Sequence, residues 1–290
     1  MSANLFIQSL VDGLLMGGIY GLVAIGLTLI FGVMKVINFA QGALMMLGMY
    51  VTYWAFTLMG INPYLSLPLS AIALFFIGAF IQRSVLSKMI NAPEHNQLLV
   101  TLGIMLIIEN LALVLWSPDL RSIKVEELTQ TLNIGSIGIN IPKFIAFVFA
   151  IVLAIGLFWF LKHSMIGKAI RATSVDRQGA SLVGIATAKI NYITFGLGAA
   201  LAAVAGSLIT PFFYTSPTVG ATFILKAFVV VVLGGLGNFI GAIVGGLIIG
   251  VAEALGGAVL PGTLKELMTY IIFIAILLVK PNGLFGGKVR

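Results

Sequence analysis

Cysteine is absent from this 290-residue chain. That excludes a disulfide framework, a thiolate metal site and a cysteine nucleophile. Histidine is scarce as well: His95 and His163 are too few to build a His-rich metal centre. Charged residues make up 9%, against roughly 25% in soluble domains, so the chain lacks the polar surface that a water-soluble globule of its size needs. No GxxxxGK[ST] phosphate loop, HExxH or GxSxG occurs, which leaves ATP hydrolysis and the commoner hydrolytic chemistries without their residues. A serial arginine voltage sensor and a TVGYG-type filter are also missing, taking most of the support from a gated ion channel.

What is present is apolar. Hydrophobic residues reach 60% and the mean hydropathy is +1.15. A helix needs about 20 mostly apolar residues to cross the hydrocarbon. Such runs occur near 7–33, 39–59, 65–82, 98–117, 144–161, 191–215, 223–237, 239–257 and 267–280. They predict an all-α, polytopic membrane helix bundle of about eight to ten crossings, in one domain covering 1–290. The segment 223–237 is short, and only the turn GGLGN separates it from the next. That pair reads equally as a re-entrant hairpin or as broken helices. The opening MSANLFIQSLVDGLL has no basic n-region and no small-residue cleavage site, so it reads as a retained span.

The net charge of +7 fits basic loops held against an anionic leaflet better than it fits nucleic acid. Alternating crossings put Lys35, Arg83, Lys88, Lys162, Lys168, Arg171, Arg177, Lys189, Lys280, Lys288 and Arg290 on one face. The other receives only Arg121, Lys124, Lys143 and Lys265, while Lys226 falls inside a span. The heavier face is expected to be cytoplasmic, with the N-terminus outside and the C-terminus inside. The outer loop 118–143, carrying Asp119, Glu126 and Glu127, contains a turn-rich NIGSIGINIP that reads as a short hairpin or an irregular cap. It serves as a connector or meets an extracytoplasmic partner.

Glycine is abundant, at 34 residues. Gly13, Gly17 and Gly21 repeat at spacing four, as do Gly237, Gly241 and Gly245 before Gly246 and Gly250; Gly198, Ala202 and Gly206 add a third stripe. Small side chains let membrane helices approach closely, so these stripes predict tight packing within the chain ahead of a subunit interface. NFAQGALMMLG (38–48) and NFIGAIVGGLIIG (238–250) begin alike, through duplication or through chance likeness of two glycine-rich runs.

Asp12, Glu109, Lys226 and Glu253 lie inside spans, with Asn38, Gln41 and Asn110 nearby. An ionisable group at mid-bilayer needs a partner or a wet cavity. For Asp12 and Lys226 the favoured reading is interhelical pairing, for instance of an acid with Lys226. Asn38, Gln41, Glu109 and Glu253 are the candidates for a translocation path, chosen for polarity and depth.

The loop 162–190 contains GKAIRATSVDRQGASLVGI (167–185), polar and basic between two apolar runs. Thr173 followed by Asp176 has the spacing of a capping box, and Gly184 is a stop signal. Together they predict a helix near 174–183 with Val175, Gly179 and Leu182 on one face. By itself this is a surface helix for docking on another protein or for resting on lipid headgroups.

The stretch resembles the cytoplasmic coupling loop of ABC importer permeases, with Ala180 and Gly184-Ile185 in the places where an Ala and a Gly-Ile recur, though without the full EAA signature. Residues 20–50, YGLVAIGLTLIFGVMKVINFAQGALMMLGMY, and 226–255, KAFVVVVLGGLGNFIGAIVGGLIIGVAEAL, resemble blocks of the high-affinity branched-chain amino acid ABC permeases. The ending VKPNGLFG (279–286) is similar to theirs, and the shorter of their two paired subunits is the better match. Urea and short-chain amide permeases share these blocks, and the residues alone leave an ion-coupled secondary transporter or a passive channel open. The resemblance implies an ABC type II importer permease-like fold in a bacterial inner membrane, and transport rather than enzymatic activity. It implies a related permease subunit as partner ahead of a second copy, two ATPase subunits that hold the ATP, and an external binding protein. This chain then binds no cofactor. The resemblance also implies that Arg171, Asp176 and Arg177 meet the ATPase, while Ala180 and Gly184 permit close approach. No deep, charge-paired amino acid pocket is expected, because a transient path is better served by weak, distributed contacts.

Overall fold

The protein, described by a computed structural model at residues 3–90, 92–123, 130–135, 137–259 and 264–286, is a helix bundle with one small hairpin. In chain order it contains α1 (Ala3–Met34), α2 (Gln41–Met59), α3 (Leu67–Ser84), α4 (Glu94–Trp116), β1 (Thr131–Ile134), β2 (Ile137–Asn140), α5 (Ile141–His163), α6 (Met165–Val175), α7 (Arg177–Leu182), α8 (Thr187–Ile209), α9 (Val219–Gly234), α10 (Phe239–Val259) and α11 (Lys265–Val279). Each of the nine apolar runs corresponds to one of these helices. Seven are long and apolar enough to cross a membrane, and two apolar helices, Val219–Gly234 and Glu266–Val279, are shorter. Lys124, Glu126, Glu127, Lys288 and Arg290 lie outside the described residues.

Local chemistry sets the boundaries. Gly60, at φ 66°, closes α2 in the left-handed region, where the lack of a Cβ removes the steric cost. Asn140 caps α5 by accepting from the Lys143 amide at 3.2 Å, with proline in the first turn, where its missing N–H costs nothing. Asn238 opens α10 similarly, accepting from the Gly241 amide at 2.9 Å. The 131–140 segment forms the antiparallel hairpin, pairing Ile134 with Ile137.

The expected boundaries on either side of residues 210–218 move. The run 191–215 ends as helix at Ile209, because Pro211 cannot continue the ladder and disfavours helix in the residue before it. Residues 210–218 then run as an irregular, largely buried segment; Thr210, Thr215 and Ser216 are at most 4% exposed. The next helix begins at Val219 instead of 223 and is only 16 residues long. This break lies ahead of the pair 223–237 and 239–257 for which a re-entrant hairpin or broken helices were the alternatives, and its irregular backbone is covered by protein as a bilayer requires.

The core is centred on α1, with α2, α8, α9 and α10 around it, whereas α3, α4, α5 and α11 present many exposed aliphatic and aromatic side chains. Antiparallel α1 and α10 meet along the glycine stripes. A Cβ on Gly17 would stand 2.7 Å from the Gly246 carbonyl oxygen, and one on Gly246 would stand 2.6 Å from the Gly17 oxygen. Gly198 and Gly206 seat α8 against α1 and α2, respectively. The stripes thus pack within the chain.

The link from α1 to α2 is buried. Asn38 Nδ2 donates to Gln41 Oε1 at 3.1 Å, and Gln41 Nε2 donates to the Gly198 carbonyl at 2.9 Å. The Thr101 hydroxyl of α4 donates to the Ile37 carbonyl at 3.0 Å. Chain direction and contacts give the bundle two ends. One carries 164–186, and the other carries the hairpin, where Gln8 of α1 exchanges hydrogen bonds with the Gly138 backbone.

Candidate functional site

At the loop end, Ser164 ends α5 and starts α6, its hydroxyl accepting from the Gly167 amide at 2.8 Å. The helix expected over 174–183 is instead two, because α6 runs to Val175 and α7 starts at Arg177. Asp176 sits between them, extended, its Oδ1 accepting from the amides of Gln178 and Gly179 at 2.9 and 3.0 Å. The expected capping box is therefore not formed. Aspartate is a strong N-cap for residues that follow it, and the Thr173 hydroxyl is spent on the Ala169 carbonyl inside α6. Gly184, at φ 87°, closes α7, while the Ile185 amide reaches back to the Ala180 carbonyl at 3.0 Å.

This pair of helices sorts its residues by face. Val175 is 88% exposed, Leu182 86% and Val183 77%, far more than isolated apolar side chains on a polar surface require. Arg171 and Asp176 are exposed beside them, and Arg177 is half-buried. Ala180 turns the other way and is buried in the chain itself. Gly184 is exposed, with open space where a Cβ would be. Arg171 also donates to the Lys162 carbonyl at 3.3 Å, tying α6 back to α5.

The hairpin end holds a cavity of about 790 Å³, lined from α1, α9, α10 and α11, the start of α5 and the 212–214 segment. Its charges come in pairs. Near the mouth, Lys143 Nζ lies 3.2 Å from Asp12 Oδ1, both side chains about a third exposed. About 12 Å further along α1, eight residues at the helical rise, the Tyr20 hydroxyl donates to Glu253 Oε2 at 2.8 Å. Lys226 Nζ donates to Glu253 Oε1 at 2.6 Å and stands 3.3 Å from the Tyr20 oxygen. Glu266 approaches Lys226 to 3.9 Å and is more open. Phe212, Phe213, Tyr214 and Phe223 supply the aromatic wall.

Charge pairs thus line a cavity at this end, which the expectation of no deep, charge-paired amino acid pocket did not foresee; it rested on how a solute must leave a path, and not on where side chains meet in space. The pairing read for Asp12 and Lys226 is present in the structure. Exposed pairs contribute about 0–1 kcal/mol, so Asp12→Asn is expected to shift thermal unfolding of the detergent-solubilised protein little. A loss of several degrees would show the mouth pair to be structural.

The four path candidates are not brought together. Glu253 alone lines the cavity. Asn38 and Gln41, at 1% and 0% exposure, form the buried α1–α2 link. Glu109 sits on peripheral α4, half-buried, with Oε1 shielded but unpartnered among the described residues. Tyr20, Lys143 and Glu266 were not foreseen as site residues. No local pattern marks them, since Tyr20 and Glu253 are 233 residues apart.

The family model described as "Branched-chain amino acid transport system / permease component" matches residues 9–277. The chain is 34% identical to the high-affinity branched-chain amino acid transport system permease protein LivH of Salmonella typhimurium, across 97% of this chain and 96% of that one. It is 32% identical to BraD of Pseudomonas aeruginosa, a permease of the same description, with the same coverage. A ribose import permease, RbsC of Bacillus subtilis, is 30% identical over 39% of this chain. No solved structure matches it.

Proposed function

The chain belongs to the branched-chain amino acid transport permease family, and from that premise we propose that it is the membrane-spanning subunit of an ATP-driven importer of branched-chain amino acids. It is a multi-pass protein of the inner membrane. Likeness to LivH and BraD over nearly the whole chain supports the solute class. The observation that carries the mechanism is the loop-end surface: Val175, Leu182 and Val183 stand exposed on two short capped helices between spans α5 and α8.

Such a surface suits a groove on a water-soluble partner. In this reading an ATPase subunit docks there, meets Arg171, Asp176 and Arg177, and delivers its closure to α5 and α8. Ala180 seats α7 on the bundle, and Gly184 leaves room at the contact. The basic residues Lys162, Lys168 and Lys189 support a cytoplasmic location for this end, with the N-terminus and the cavity mouth then outside. ATP stays on two partner ATPases; a related permease chain completes the path, and a binding protein delivers the solute to the outer face.

Reconstituted vesicles test this directly. Leucine uptake is expected only when the second permease, the ATPases and internal ATP are all present, to be insensitive to ionophores, and to be uncompeted by urea or short-chain amides. Uptake by this chain alone, or uptake that stops when an ion gradient is collapsed, would indicate a channel or a secondary transporter. Competition by urea would move the solute class within the family.

A further inference from the structure

We propose that Tyr20, Lys226 and Glu253 form a subsite for the charged head of a zwitterionic amino acid, with Phe212, Phe213, Tyr214 and Phe223 receiving its aliphatic side chain. This deepens the importer reading above and rests on it.

Lys226 and Glu253 are each 9% exposed, and that remainder faces the cavity. They form a short dipole whose ends lie on different helices, α9 and α10. An amino acid carries the opposite arrangement, its ammonium and carboxylate one carbon apart. Laid head to tail on the protein pair, its carboxylate meets Lys226 and its ammonium meets Glu253. Each buried charge keeps a partner throughout, and no net charge enters a poorly solvated region. Glu266, 3.9 Å from Lys226 and 41% exposed at its side chain, offers a second acceptor on the ammonium side. The Tyr20 hydroxyl holds Glu253 Oε2 and leaves Oε1 for exchange between Lys226 and the incoming ammonium.

The same geometry rejects near relatives of the solute. An acid without the amine brings one charge that the pair cannot neutralise, and an uncompensated buried charge is heavily penalised; a primary amine can be met by Glu266 but leaves Lys226 without the incoming carboxylate, so it gains less than the zwitterion. Selection for the zwitterion therefore follows from the paired floor, and selection for an apolar side chain from the aromatic wall. The cavity has ample room for such a solute and water together.

The test uses the detergent-purified permease–ATPase complex without binding protein, followed by thermal unfolding. Leucine at tens of millimolar is expected to raise the midpoint, since a molecule that binds only the folded state stabilises it. 4-Methylpentanoate, which carries only leucine's negative charge, is expected to have no effect, and isoamylamine, which carries only the positive one, a smaller effect than leucine. Lys226→Met/Glu253→Gln, which removes both charges together, should abolish the leucine response while the complex still elutes intact. Tyr214→Ala keeps the ion pair and covers the case where the double variant does not assemble; the side chain is 42% exposed and belongs to the wall that receives the aliphatic group, so its removal is expected to raise the half-saturating leucine concentration about tenfold. An undiminished response in Tyr214→Ala or in the assembled double variant overturns the subsite. So does an equal response to the single-charge analogues. If the wild-type complex shows no leucine response yet still drives ATP-dependent uptake, the cluster is a lock between helices and the importer reading stands. Loss of ATP-dependent uptake in the wild type defeats that reading instead.

Discussion

Gly246→Leu is expected to prevent recovery of folded protein. The new Cβ would lie 2.5 Å from the Gly21 amide nitrogen and 2.6 Å from the Gly17 carbonyl oxygen. Both obstacles are backbone, so no rotamer change relieves them and α1 must separate from α10. Overpacking a well-filled site costs about 1–3 kcal/mol, occasionally more. Here the same displacement also breaks the reciprocal seat of Gly13 on Val251, and lipid supplies no hydrophobic force to press the helices back together. Gly103→Leu and Gly156→Leu are the controls. Both sit within spans, yet nothing stands within 4 Å of a Cβ at either position. They should express and elute as the wild type does. A monodisperse gel-filtration peak for Gly246→Leu, equal to the controls, would show that the α1–α10 contact is dispensable.

Leu182→Glu combined with Val175→Glu should leave the bundle intact and abolish coupled transport. The two side chains are 86% and 88% exposed, so charging them removes nothing from the core. If they bury against an ATPase, each forfeits about 2 kcal/mol of transfer energy, which weakens docking about 30-fold per residue. The expected signature is normal gel filtration, lost ATPase copurification and lost uptake. The cysteine-free background makes a companion measurement clean: Val175→Cys in intact cells should resist membrane-impermeant thiol reagents and react in inverted vesicles stripped of the ATPase. Labelling from outside would reverse the proposed orientation, and unimpaired copurification in the charged variant would remove the docking surface.

The long apolar runs made the helices legible. Their period and length outweigh any local ambiguity, and the glycine stripes announced close packing before any partner helix was known. Ends were harder. The TPFFYTSP stretch is apolar enough to pass as span, and only Pro211 and Pro217 signal that the backbone leaves the helix there. Asp176 deceived in a different way: its spacing from Thr173 suits a capping box, but a short carboxylate caps the residues ahead of it more readily than it reaches back. The cavity was the least legible part. Lys226 and Glu253 were visible as intramembrane charges, and pairing of Lys226 with an acid was anticipated without naming which, but Tyr20 is one aromatic among many and Glu266 is an ordinary helix-start acid. What makes them a cluster is the meeting of α1, α9, α10 and α11, which no single stretch of sequence contains.

The amide of Gln41 ties the α1–α2 joint to the middle of α8, and this has a mechanical meaning. α8 rises directly from the α6–α7 pair. If an ATPase pushes on that pair as proposed, the Gln41–Gly198 bond offers a stiff bridge to α1, the rod that bears Tyr20. The joint would then serve as a fulcrum, turning a small tilt at one membrane face into a change of clearance around the lysine–glutamate couple deeper in the bundle.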